Sequence, residues 1–378
     1  MREAEFRRMI AEEFLSVIHD PRLARTRKHS LETILVIALL AVICGADSFV
    51  AMERYAITRE EWLGTFLDLS GGVPSHDTFG RVFAALNPLM LGEAFRRWTA
   101  AMATASKEKL ISIDGKTLRR SFKQAGDGAF VHMVSAWSSA NGVVLGQVKT
   151  EEKSNEITAI PALLDLIDVK RSLVTIDAAG TQTEIAEKIV DKGGDYLLAV
   201  KGNQPSLHEA VIRHFEKVTG IEQKFMCAET NARAHGREET RRVEVSRDLE
   251  GIDPAKRWSK LTTLIHIEST RTIKGETSTE DRYYISSKAL SPKQALSAVR
   301  SHWGIENSLH WVLDVAFRED DCRVRAGNAA ANFSAVRQLA LGLLKKRTEM
   351  KCGIKIRRQC AGWDNQFLLR VIGLQPSD

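Results

Sequence analysis

Two short apolar runs that each end on an aspartate constrain this chain more than anything else in it: LISID at 110–114 and LVTID at 173–177. Both are rich in β-branched residues and bounded by turn formers, so each reads as a buried strand. HMVSAWSSANGVVLGQVKT (132–150) is two strand-like runs joined at Asn141-Gly142, a dipeptide suited to a tight hairpin. SNEITAIPALLDLID is helical, SLVTID is a strand, TQTEIAEKIVDKG is an amphipathic helix and DYLLAVK is a further strand. The predicted order from Glu108 is β-β-β-α-β-α-β, an α/β core with both aspartates at strand ends.

The flanks differ. Residues 1–105 read as helical, with apolar residues at three and four spacings through LETILVIALLAVICGADSFVAMERYA. VPSHDTFGRVFAAL places Ser75 or Asp77 as a helix N-cap, turns Phe79, Val82 and Phe83 inward and leaves Arg81 outside. That pattern fits a helix-turn-helix DNA reader or any small helical bundle. After a helix at about 205–218 the chain becomes polar, with strand-like runs RRVEVSRDL, KLTTLIHIEST and RYYISS up to about 285, a β-rich insertion. Pro292 opens another helix, which continues through IENSLHWVLDVAF with a break allowed at Gly304. A last helix over about 328–346 precedes a basic tail. The expected organisation is a helical domain at 1–105, a core at 106–220 and 286–346, an insertion at 221–285 and a tail at 347–378.

A chain of 378 residues exceeds what one core usually supports, and 44% hydrophobic with 27% charged residues is ordinary for a folded protein. The longest apolar run, Ile34 to Cys44, is short of the roughly 20 residues that cross a bilayer, and MREAEFRRMIAEEF carries no apolar signal core. Cys44, Cys227, Cys322, Cys352 and Cys360 form no C-x-x-C pair, which argues against disulfides and structural zinc and for a reducing cytoplasm. The net charge is +6, yet Arg318 to Arg370 alone holds twelve Lys/Arg against five Asp/Glu. Such a stretch suits phosphate backbones, or a solvated helical surface.

A carboxylate just past a buried strand is held by rigid backbone, and two such strands side by side bring Asp114 and Asp177 close enough to share a divalent ion. An acidic residue after a strand is, taken singly, as readily a turn residue or a helix cap. A third carboxylate from a helix would complete a site for in-line phosphodiester displacement. In VRSHWGIENSLHWVLDVAFRED, His302, Glu306, His310 and Asp314 recur every four residues, a polar helical stripe that offers Glu306. An exposed charged face and a zinc site are the other readings, although the eight-residue spacing of His302 and His310 departs from helical zinc motifs.

The order of elements and acids resembles the DDE transposases with an RNase H-like fold. SIDGKTLRRS, HMVSAW, EKSNEITAIP, VTIDAAG, DYLLAVKGNQ, RYYISS and HWGIENSLHWVLDV, with GADS and PSHDTFGRVF near the N-terminus, resemble the H-repeat-associated insertion-sequence transposases over nearly the whole chain. The resemblance implies an RNase H-like mixed sheet flanked by helices, with Asp114, Asp177 and Glu306 as a triad binding two Mg²⁺ ions, Mn²⁺ being a substitute. It implies DNA cleavage and strand transfer, with transposon ends and target DNA as partners, dimers or larger assemblies on DNA, and a place at the cytoplasmic nucleoid without a membrane. One departure stands out. A Tyr-x2-Arg-x3-Glu-x6-Lys pattern anchored on Glu306 falls on Val299, His302, Glu306 and Leu313, so only the Glu matches and His302 is the substitute phosphate contact.

Further DNA contacts are expected at Lys116, Arg119 and Arg120 after the first aspartate, and at Lys201, Asn203 and Gln204 after the strand beside the second. His235, Gly236, Arg237, Arg241 and Arg242 form a basic segment in the insertion. The competing functions are a domesticated or decayed DNA-binding product of such an element, and a nuclease that stops after cleavage.

Overall fold

The computed structural model describes residues 15–101, 109–121, 131–150, 156–216, 225–234 and 236–374. His235, expected in the basic segment, the N-terminal run 1–14 and the start of EKSNEITAIP at 152–155 lie outside the described residues. In chain order the elements are helices α1 (Leu31–Ile43), α2 (Phe49–Thr58), α3 (Glu60–Gly64), α4 (His76–Ala85) and α5 (Pro88–Ala101), then strands β1 (Lys109–Thr117), β2 (His132–Ser138) and β3 (Val143–Thr150). There follow α6 (Glu156–Leu166), β4 (Ser172–Ile176), α7 (Thr183–Asp191), β5 (Asp195–Val200) and α8 (Pro205–Glu216). The strands β6 (Met226–Ala234), β7 (Arg237–Ser246), β8 (Thr263–Ile273) and β9 (Glu276–Ser286) come next, then α9 (Pro292–Ile305), a π-helical turn Glu306–His310, α10 (Trp311–Phe317), α11 (Ala329–Lys345), α12 (Ile354–Trp363) and α13 (Asn365–Val371). The predicted β-β-β-α-β-α-β order is present, on the RNase H-like α/β plan.

The chain divides into two units. One comprises Met1–Ala105, Gly115–Asn155 and Glu306–Asp378, the other Ser106–Asp114 and Glu156–Ile305. Strand β1 thus lends residues to each.

In the second unit the strand order is β1-β4-β5-β9-β8-β7-β6. The first three run parallel, and β9 joins β5 antiparallel through pairs such as Leu197↔Ser286. The β-rich insertion is therefore a continuation of the core sheet, since β5 would otherwise leave an edge open. Helix α9 covers one face of that sheet, where Leu197, Val243, Ile265, Tyr284, Leu296 and Val299 share a core.

In the first unit the order is β3-β2-β1. The β2–β3 turn uses Gly142 at φ +63°, a conformation that suits glycine. Helix α1 is apolar all round and buried on every side past its first turn, the condition for a core helix rather than a surface one. Ser30 caps it, accepting from Thr33 N at 2.9 Å. Ser75, rather than Asp77, caps α4, whose Phe79, Val82 and Phe83 are buried while Arg81 is exposed. Asn332 of the buried helix α11 donates to the carbonyls of Phe83 (2.8 Å) and Leu86 (3.0 Å), which locks α4 in place. The segment read as a basic tail forms α12 and α13, and Arg358 is buried there, donating to Val42 O at 2.6 Å with its guanidinium over the Phe317 ring. Among the described residues no helix is long and apolar enough to cross a membrane.

Candidate active site

Parallel pairing of β1 with β4 runs Leu110↔Leu173, Ile111↔Val174, Ser112↔Thr175 and Ile113↔Ile176. The next residue on each strand is an aspartate, so Asp114 and Asp177 follow matched positions on neighbouring strands, whose spacing is about 4.8 Å. Both are half-buried. Asp177 is oriented by backbone: its Oδ1 accepts from Ala179 N at 3.1 Å and Gly180 N at 3.4 Å. A Cβ on Gly180 would lie 2.5 Å from Ile176 Cγ2 and 2.6 Å from Ile160 Cδ1, so this turn tolerates no side chain there. Thr181 ties the loop down, its hydroxyl donating to Ala199 O at 2.7 Å.

Beneath this edge Thr175 Oγ1 lies 3.2 Å from Ser112 Oγ and 3.0 Å from His302 Nδ1. Burial pushes His302 below its ordinary value, and the Asp177 charge opposes that shift. His302 is thus a largely buried ring anchored by a threonine, and it is the Asp177 charge that it feels.

Glu306 belongs to the first unit and opens the π-helical turn. The helix continues through Gly304, where a break was allowed, and the irregularity falls on Glu306–His310 instead. One extra residue in a turn displaces the four-residue stripe beyond it. Glu306 Oε2 lies 2.9 Å from Nδ1 of the buried His310, and that bond, aided by Lys116 and opposed by burial, holds the Glu306 carboxyl below the usual carboxylate range. Lys345 of α11 donates to Ser308 O at 2.7 Å and sits over the Trp137 ring at 4.3 Å, bracing the turn. Burial pushes the Lys345 amine down to about 8.

A model of the family "Transposase DDE domain" matches residues 105–343, and "DDE_Tnp_1-associated" matches 12–99. The chain belongs to the DDE-domain transposase family. "Putative transposase YncI" of Escherichia coli O157:H7 is 43% identical over 364 residues, 95% of this chain and 93% of that one. "H repeat-associated putative transposase YhhI" of Escherichia coli strain K12 is 39% identical over 376 residues, 95% of this chain and 97% of that one, in accord with the resemblance read from the motifs. The solved "Cryo-EM structure of piggyBac transposase synaptic complex with hairpin DNA (SNHP)" aligns at TM-score 0.46 and 9% identity, covering 100% of this chain and 86% of that one.

In this transposase the residues expected at phosphates divide into engaged and open groups. Lys116 has a side chain only 11% exposed and bridges Glu319 (2.9 Å) and Asp314, so it is a structural cation rather than a surface contact. Glu319 is buried and also faces Arg337 at 3.9 Å. Arg119 pairs with Asp320 at 3.2 Å and Arg120 with Asp321 at 3.5 Å; these are exposed pairs of the kind that contribute little. In the second unit, Asn203 donates to Ala178 O and Gln204 to Thr181 O at 3.0 Å, so both brace the Asp177 loop. Lys201 and Arg237 are exposed. Thr175, Gly180 and Lys345 were not singled out from the sequence; only Thr175, beside an aspartate in a strand, carried a signal there.

Proposed function

We propose that this chain cleaves DNA at the ends of an insertion sequence and joins the ends to target DNA, with Asp114, Asp177 and Glu306 as its catalytic carboxylates. The observation that carries the reading is the register Ile113↔Ile176, which sets two aspartates at one edge of neighbouring parallel strands. Carboxylate oxygens are the hard donors that Mg²⁺ takes, so the donor set fits two such ions, with Mn²⁺ as substitute. Bound there, the metal supplies charge neutralisation at the attacking and leaving oxygens of an in-line displacement. The chain's own part is preorganisation. Backbone amides fix Asp177, the His310 ring fixes Glu306, and Glu306 is assigned as third carboxylate from its place on the helical segment after the insertion. Duplex DNA ends and target are the substrates, held by a dimer or larger assembly.

The test is incubation of labelled duplex ends with protein and Mg²⁺, sizing the products as nicks, hairpins or joined strands. Asp177→Asn is expected to abolish cleavage and leave DNA binding near normal, because it disrupts metal ligation rather than phosphate contacts. Equal product from wild type and variant would remove the assignment, and binding without cleavage by the wild type would favour a decayed element product.

A further inference from the structure

The outer strands of the second unit carry their charges unevenly on the two faces. Pairing registers and alternation place Arg237, Glu239 and Arg241 of β7 on the same face as Arg271 of β8 and Glu276, Glu280 and Arg282 of β9. This is the face that α9 covers farther along, through Val243, Val245, Ile265 and Ile267. The opposite face presents Glu229, Glu238, Glu244, Glu268 and Asp281 with only Arg233 and Arg242. One face thus carries four arginines against three glutamates and the other two arginines against five acids, within one sheet.

The basic face is also built. Glu239 is buried, and Arg241 (2.7 Å), Arg271 (3.2 Å) and Arg237 (3.7 Å) converge on it. Glu239 is the carboxylate that all three contact; Glu280 of the same face pairs with Arg282 at 2.8 Å and also lies in the field of Arg271, so positive charge is still in excess around Arg237, Arg241 and Arg271. Arg300 of α9, exposed and without a carboxylate partner among the described residues, adds a fourth. Burial, opposed by Glu239 and reinforced by Arg300, Arg271 and Arg237, holds Arg241 below the usual guanidinium value. Beside them Arg282 lies over the Trp303 ring at 4.9 Å, and Trp303, three residues after Arg300 on α9, is 48% exposed.

We propose that the α9-side face of β7–β9, with Arg237, Arg241, Arg271 and Arg300 at its centre, binds the phosphate backbone of duplex DNA. The inference rests on DNA as the substrate and adds a binding surface apart from the carboxylates. Guanidinium forks held in place by a buried carboxylate match phosphate oxygens bidentately and lose little freedom on binding. From Arg237 to Arg241 the surface runs ~13 Å along the strand, room for more than one phosphate. Arg242, adjacent in sequence, points to the acidic face and pairs with Glu244 at 2.8 Å, so the basic segment divides between the two faces.

Binding of a fluorescein-labelled mixed-sequence duplex, followed by anisotropy over a salt series, tests the assignment. The double variant Arg271→Gln, Arg300→Gln is expected to bind about tenfold more weakly, with a log K against log salt slope shallower by about 2, while Arg242→Gln behaves as wild type. Arg300→Glu leaves all partners of Glu239 in place, so a loss of binding there with an unchanged melting temperature is independent of folding. Wild-type affinity and slope in both variants, or an equal effect of Arg242→Gln, overturns the proposal. So does preferential loss of single-stranded RNA binding with duplex binding intact. A wild-type protein that binds no duplex at any salt overturns the transposase reading itself.

Discussion

Asp177 and Glu306 are both half-exposed acids proposed for one task, yet they are held by different means. Asp177 stands at the end of a buried strand, and two backbone amides take its Oδ1. Glu306 sits on an irregular turn, held by the ring of His310 while Lys345 secures the Ser308 carbonyl within the same turn. Each acid has its direct partner within four positions in the chain. Around the Glu306 turn, however, side chains of β1, α10 and α11 gather from far apart, Lys116 bridging Asp314 and Glu319 while Lys345 holds Ser308 O. Damage around Asp177 should therefore be confined to its loop, and damage around the Glu306 turn should spread through the unit.

The largest effect is expected at Lys116. Its ammonium bridges Asp314 and Glu319, and Glu319 is buried with Arg337 as its other cation. Lys116→Met leaves a buried carboxylate short of its nearest partner, a change that costs ~3–5 kcal/mol. The urea midpoint should fall sharply and cleavage should go with it. A phosphate-contact role makes the opposite forecast, with the midpoint unmoved and the salt slope of DNA binding shallower by about 1.

Gly180→Val is expected to do less to the whole and as much to the site. The new Cβ meets Ile176 Cγ2 at 2.5 Å and Ile160 Cδ1 at 2.6 Å, and overpacking of that kind costs ~1–3 kcal/mol. The loop must shift, and it carries the amide of residue 180 away from Asp177. Cleavage should drop at least tenfold with duplex binding retained; a variant that cleaves normally would show that the amide cradle does not matter.

The difference between the two regions also explains what was legible in the sequence. Runs such as LISID and LVTID declare a strand and its terminal acid within five residues, and the register that joins them needs only that both be buried and parallel. The face-splitting of Arg241 and Arg242 follows from strand alternation once β7 is placed. The π-helical turn is different: Lys345, far off in the chain, braces it, and the four-residue stripe keeps Glu306 and His310 together without declaring the turn they sit on. Lys116 was misread for a related reason. A lysine beside an aspartate looks like a surface contact until Glu319, about two hundred residues on, is seen to enclose it.

At neutral pH the smallest effect is expected at Lys345, and it grows with pH. Burial holds its amine down to about 8 from an ordinary 10.5, so between those values the unfolded chain carries a proton that the folded chain has released. Stability linked to this group is therefore full above about 10.5 and is lost as pH falls through 8. Lys345→Met removes both the linkage and the bond to Ser308 O, about 1 kcal/mol for an ordinary hydrogen bond. Chemical denaturation of the two proteins should thus diverge as pH rises from 7 to 10, the wild type gaining on the variant. If the gap is constant with pH, or closes, the amine is solvated rather than buried, and the π-helical turn that carries Glu306 is braced by something other than Lys345.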